Sequence, residues 1–337
     1  MEPSSKNARV SRLARLFRVV AAALIAFYTA LAAALVLPLE AHERCFTPAV
    51  SPAASSAALS ALSDGDDEAA EAAAPAVEDA RPAASFGGCG FLYPFQLGAA
   101  QYISETFDTS RLRLAGHSAG FASAVTLAAG VPADLHWHVL LAARARWAGR
   151  ALGPFLDATR AWMAPYAAAL APHEPAILAA AADGRLSLGY TRFAWTRGWP
   201  PARAGHAVAC CFGSLAEFVY AITVSQRCMP FYRSPGWLYG AWGLDGAFSA
   251  QFTVPPGCSL ERCLTVSPTN PLADVAPEQP LPPHWFVSLP DAARWERLRQ
   301  LGFEAARAKH HVMLAKGFVP RRDKADDATR ADATAAC

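Results

Sequence analysis

The run Arg111-Leu-Arg-Leu-Ala-Gly116-His117-Ser118-Ala119-Gly120, continued by small residues to Gly130, constrains the chain more than any other stretch. A short apolar-rich segment enters a Gly-x-Ser-x-Gly turn, and a small-residue helical run leaves it. This is the strand–turn–helix context of a nucleophile elbow. A sharp turn imposes backbone angles that side chains on either side would obstruct, so glycine at 116 and 120 fits the turn. The Ser118 hydroxyl then stands at a helix start, where unpaired N–H groups favour developing negative charge. The same pentapeptide also reads as a buried strand-to-helix turn with an incidental serine, because short motifs recur by chance.

Two further stretches bear on that choice. Ser85-Phe86-Gly87-Gly88-Cys89-Gly90-Phe91 precedes the elbow, Gly90 lying 28 residues before Ser118. Three glycines in four positions leave backbone N–H groups open to an oxyanion. Trp242-Gly243-Leu244-Asp245-Gly246-Ala247-Phe248 places one carboxylate in an apolar, glycine-containing turn. By itself Asp245 reads as an ordinary turn aspartate favoured by Gly246.

Together the three stretches resemble the patatin-like phospholipase family, in its animal-type lipase branch. Gly184-Arg185-Leu186, the helix at 214–226 followed by Cys228-Met-Pro230-Phe-Tyr, and Gly302-Phe303-Glu304-Ala305-Ala306 extend the likeness over Ala84–Phe318. The resemblance implies a three-layer α/β/α fold with a mostly parallel central sheet. It implies Ser118 as nucleophile and Asp245 as its only partner, with no metal or cofactor. The oxyanion hole would be Gly88, Cys89, Gly90 and Ala119. Gly116, His117, Gly120 and Gly246 complete the motifs. The implied substrates are acylglycerols or phospholipids, met at a membrane or lipid-droplet surface. Two departures stand out: Tyr93 where the glycine loop commonly ends in glycine, and Ser249-Ala250 where many members carry Asp-Asn. Tyr93 would crowd the oxyanion loop and narrow or weaken the site.

The rest of the chain sorts by composition. Residues 1–18 carry five basic residues and one acid, and Val19–Leu39 then runs 21 residues without a charge. That length can span a bilayer core of about 30 Å at about 1.5 Å per residue. Residues 1–44 therefore read as a basic N-terminus with a single-pass signal anchor, its N-terminus cytoplasmic. A cleaved secretory signal and an organelle transit peptide are the alternatives. Residues 45–83 are an Ala/Ser/acidic spacer without an aromatic after Phe46, too poor in apolar residues to order themselves. Residues 84–318 form the hydrolase domain, and 319–337 a charged tail.

Within the domain, Ala84–Phe86 and Arg111–Ala115 read as strands, and Phe91–Phe107 and Ala119–Ala129 as the helices that follow them. Such alternation indicates a parallel α/β sheet. Leu135–Ala182 is helical by composition, broken by prolines. Alternation around Trp137 would put His136 and His138 on one strand face, but no Cys or carboxylate cluster supports a metal there. Ser214 is the expected cap of the next helix. A helix over Asp291–Lys316 would bury Trp295, Leu298 and Leu301.

Composition excludes some classes. A net charge of +2 gives no argument for nucleic acid. Eight cysteines are too few for a disulfide scaffold, although Cys258 and Cys263 could bridge locally. A dinucleotide fingerprint fails because Tyr93 occupies its third glycine. Two other readings stay open. One is an α/β-hydrolase triad, with Asp245 or Asp274 and one of His284, His310 or His311. The other is an inactive patatin-like lipid-binding scaffold. Under the dyad reading, the three histidines are individually dispensable.

Overall fold

The structure, a computed structural model, describes residues 80–147, 159–195, 202–228 and 235–321, all within one compact unit. Most of the expected spacer and almost all of the charged tail lie outside these residues. The expected single-pass localisation is corrected here. No helix among the described residues is long and apolar enough to cross a membrane. Their longest helix has 17 residues and carries Arg294, Glu296, Arg297, Arg299, Glu304 and Arg307, charges that a bilayer core would not solvate. Val19–Leu39, on which the expectation rested, also lies outside the described residues.

Strand β1 (Ala83–Phe86) is buried throughout and ends in the glycine loop. Helix α1 (Tyr93–Thr106) follows, two residues shorter at its start than its composition predicts because Gly90–Leu92 forms a 3-10 turn. Strand β2 (Arg113–Gly116) leads through a second 3-10 turn, Ser118–Gly120, into helix α2 (Phe121–Ala129). Gly130 ends α2 in the left-handed region at φ 66°. Among the described residues the expected long helical stretch contains α3 (Ala133–Trp147), α4 (Ala164–Leu170) and α5 (Glu174–Ala182), with Pro165 and Pro175 in the first turns of the last two and Pro172 in the 3-10 turn between them.

Strand β3 (Leu186–Trp195) organises the sheet. It is followed by β4 (Ala202–Ala209), α6 (Leu215–Ser225), β5 (Gly236–Leu238), β6 (Ala241–Asp245) and β7 (Cys263–Val266). Ser214 caps α6 by accepting from the Glu217 N–H at 3.2 Å. The result is an α/β fold with a mixed seven-stranded sheet, its centre parallel in the order β7-β1-β2-β3. The antiparallel strands gather around β3 and were not legible in the sequence.

The register on β3 positions the site. Leu188 pairs with both Gly116 of β2 and Ala209 of β4, so these two strands lie on opposite edges. Residues 190–193 pair with both β4 and β6, so β6 shares the edge of β2. Parallel β2 ends opposite Leu188, and antiparallel β6 ends with Asp245 opposite Tyr190. Two strands thus run toward each other along one edge and stop with only Gly189 between their partners. Their C-terminal loops, carrying Ser118 and Asp245, must meet.

The core includes fully buried Phe86, Phe95, Phe107, Phe121 and Phe218. Each such side chain contributes roughly 1.5–3 kcal/mol by leaving water. The expected C-terminal helix is two, α7 (Ala292–Ala308) and α8 (His310–Ala315), broken at Lys309. Trp295 and Leu298 are buried as the periodicity requires, while Leu301 is only half-buried. Helix α7 packs on α1 at closest approach through Gly98 and Gly302. A Cβ at Gly98 would meet the Arg299 carbonyl, and one at Gly302 the Phe95 carbonyl. Both opposing groups are helix backbone, which cannot yield without parting the helices. Gly98→Ala and Gly302→Ala are each expected to cost about 1–3 kcal/mol or more. Urea unfolding of the full chain measures this; wild-type stability in both variants contradicts the packing.

Candidate active site

Three loops converge at the ends of β1, β2 and β6. The elbow is built as its pattern requires. His117 is extended, and Ser118 turns to φ 53°, one of two non-glycine residues in the left-handed region among those described. That conformation costs of order 1–3 kcal/mol and persists only where surroundings enforce it. Part of the enforcement is Ser225, the last residue of α6. The Ser118 N–H donates to Ser225 Oγ at 2.9 Å, and the Ser225 hydroxyl donates to the Gly189 carbonyl at 2.6 Å. Nothing in the sequence marks Ser225, because its role arises only when α6 crosses the end of β2.

The flanking residue Gly120 is required by the glycine loop itself: a Cβ there would collide with the carbonyls of Phe86 and Gly87. Elbow and loop are therefore in backbone contact.

Asp245 is buried; its carboxylate accepts from the Ala247 N–H at 2.9 Å and lines the same cavity as the Ser118 hydroxyl, which also favours its anion. Burial raises its pKa to about 6 against the opposing pull of those two groups. The Asp245 carbonyl is held by the Thr191 hydroxyl at 2.7 Å, which fixes where the strand ends.

His117 links all three loops. It is fully buried, and its Nε2 accepts the Gly88 N–H at 2.9 Å. That bond puts the ring proton on Nδ1, which lies 3.1 Å from Thr253 Oγ1 and donates to it. A Cβ on Gly246 would stand 2.6 Å from the His117 Cβ, so the glycine after Asp245 is needed to admit this side chain. Burial, with help from His206, lowers the His117 pKa to about 3. The ring stays neutral and serves as an acceptor rather than a base.

One expected role changes accordingly. The Gly88 N–H is engaged by His117 and is not free for an oxyanion. The N–H groups of Cys89, Gly90 and Ala119 have no acceptor among the described residues. Gln96 braces the loop from below, donating to the Gly87 carbonyl at 2.8 Å and accepting from the Cys89 thiol at 3.2 Å. Burial pushes that thiol well above its ordinary range.

Tyr93 does not cap the loop. Its ring stands edge-on to Trp162 and Trp295, and its hydroxyl reaches the His136 carbonyl at 3.5 Å. It forms the wall of a cavity of about 890 Å³, open mouth included, that reaches Ser118 and Asp245. The lining is largely apolar and aromatic, with Phe121, Ile222, Trp162 and Phe286 prominent.

The other sequence candidates lie apart from this centre. His310 bonds to the Tyr102 hydroxyl at 2.8 Å and stacks on Phe107. Asp274 is taken by Thr265 and by Lys316 at 3.2 Å. His284 sits in a 3-10 turn beside Trp285. His136 and His138 lie on a helix instead of a strand, with His136 buried and His138 exposed, so they share no face. No group of three metal-ligating side chains occurs among the described residues. Cys258 and Cys263 are not joined by a disulfide. The chain matches no family model and no curated sequence.

The electrostatics give a testable pH dependence. Burial lowers both His117 and His136 to about 3. In the unfolded chain each returns to about 6.5. Their contribution to stability is full above that value and is lost as pH falls toward 3. Asp245, raised to about 6, acts oppositely, its contribution falling as pH rises from about 4 to 6. His117→Gln is expected to flatten the acid limb relative to wild type by up to about 1.4 kcal/mol per pH unit. Urea unfolding from pH 7 to 4 reads the two slopes; parallel slopes contradict a buried neutral His117.

Proposed function

We propose that the chain is a patatin-like lipid acyl hydrolase that cleaves carboxylic esters of acylglycerols or phospholipids through a Ser118–Asp245 dyad. The observation that carries this reading is a serine in the left-handed conformation of an elbow, lining the same apolar cavity as a buried carboxylate whose ionised form it favours. The three-layer arrangement of that family is part of the same proposal.

The chemistry follows from the groups present. Serine is a weak nucleophile until a base takes its proton. An aspartate near its ordinary pKa is a poor base, but one raised to about 6 is closer to the operating range. Asp245 accepts the Ser118 proton as Oγ attacks the ester carbonyl. The oxyanion is met by the free N–H groups of Cys89, Gly90 and Ala119. Asp245 then returns the proton to the leaving alcohol as the C–O bond breaks. A water molecule, deprotonated by Asp245, attacks the acyl-enzyme, and Ser118 recovers its proton. His117 holds the Gly88 end of the loop throughout. A triad reading is disfavoured because no histidine among the described residues bonds to Ser118 or Asp245.

Ser118→Ala and Asp245→Asn are each expected to reduce hydrolysis of a triacylglycerol and phospholipid panel by about 10⁴-fold or more. Wild-type labelling by a serine-directed phosphonate should be lost in Ser118→Ala. Substantial turnover in either folded variant overturns the dyad. The wild-type rate is expected to rise with pH through about 6 as Asp245 ionises. A rate that does not depend on pH from 5 to 7 contradicts Asp245 as the base.

A further inference from the structure

The cavity beside Ser118 is not uniformly apolar. Tyr166 of α4 and His136 of α3 line one part of it, and both are at least nine-tenths buried. The Tyr166 hydroxyl has no hydrogen-bond partner among the described residues. It is not one of the sealed unpartnered polar atoms, so its remaining access is to the cavity that it lines. His136 stands against it with ring centroids 5.6 Å apart. Its Nε2 is taken by Thr126 Oγ1 at 3.1 Å, while Nδ1 has no partner among the described residues. A third polar group, the Tyr93 hydroxyl, is engaged by the His136 carbonyl at 3.5 Å.

An unsubstituted alkyl chain filling this cavity would strip water from the Tyr166 hydroxyl and His136 Nδ1 and give nothing in return. Unsatisfied buried polar groups are costly, and a ligand that pairs them gains by comparison. The partner must be neutral. Among the described residues no Lys or Arg lines the cavity, and the buried imidazole remains uncharged, so a carboxylate or phosphate would meet no countercharge from them. A hydroxyl or carbonyl oxygen on a hydrophobic chain meets both requirements.

We propose that Tyr166 and His136 form a polar subsite in the acyl pocket that recognises a neutral oxygen, hydroxyl or oxo, carried part-way along a fatty acyl chain. The inference rests on reading the cavity as an acyl pocket. It makes Tyr166 a specificity-determining residue that takes no part in the proton transfers.

The test uses the full chain with Ser118→Ala, so that esters bind without being cleaved. A fluorescent fatty-acyl probe is displaced by methyl octadecanoate and by positional series of methyl hydroxyoctadecanoates and oxo-octadecanoates. At least one position is expected to bind about three- to tenfold tighter than the plain ester, the worth of one net hydrogen bond. Adding Tyr166→Phe should abolish that ratio. A second reading needs no change at Tyr166: the infrared carbonyl stretch of the bound oxo ester should shift to lower frequency than in an apolar solvent. Equal affinity across the series, a preference that survives Tyr166→Phe, or an unshifted carbonyl overturns the subsite while leaving the acyl pocket intact. Failure of every ester to displace the probe overturns both.

Discussion

A buried, neutral imidazole holds this site together. His117 accepts a hydrogen bond from the glycine loop through Nε2, donates to Thr253 through Nδ1, and fills the space left by Gly246 after the aspartate. The first of these bonds depends on the ring being uncharged. Protonating Nε2 would turn an acceptor into a second donor and set it against the Gly88 N–H. Burial prevents this over ordinary pH. The residue that looks most like a base in the motif is thereby unavailable for base chemistry, and under the proposed function that work would fall to Asp245.

The same burial acts in opposite senses on the two groups. It lowers the imidazole because desolvation penalises the cation, and raises the carboxyl because desolvation penalises the anion. One dry environment thus keeps His117 an acceptor and moves Asp245 toward the range where it can exchange a proton with serine. Ser225 adds a mechanical element: its hydroxyl accepts the N–H of Ser118, whose backbone angle is unfavourable. The strain at Ser118 is held by side chains from α6 and by backbone contact with the glycine loop, not by the elbow alone.

Much of this was legible in the residues. The alternation of short apolar strands with helices announced a parallel core, and β1, α1, β2 and α2 appear within a few residues of their expected bounds. The three glycine-containing stretches pointed to loops that do converge. The antiparallel strands were hidden because β4 (Ala-Arg-Ala-Gly-His-Ala-Val-Ala) is rich in alanine and β5 is only three residues long. His136 and His138 fall on α3, within the stretch read as helical, so the strand alternation that would have put them on one face does not arise. Tyr93 seemed set to obstruct the oxyanion loop, but the 3-10 turn at Gly90–Leu92 rotates it into the cavity wall.

Local chemistry by itself determined that this chain has an elbow, a glycine loop and a buried turn carboxylate, because steric and hydrogen-bonding demands of such turns act over a few neighbouring residues. Only the tertiary structure decided which of those groups are free to react. The Gly88 N–H looks identical to the Gly90 N–H in sequence, yet one is bonded to His117 and the other is not. Ser225 and Tyr166 carry no local mark, yet one braces Ser118 and the other faces the cavity. The reason is physical: availability is set by partners and desolvation, and both are supplied by elements distant in the chain. Here they are brought together by two strands that run toward each other along one edge of β3.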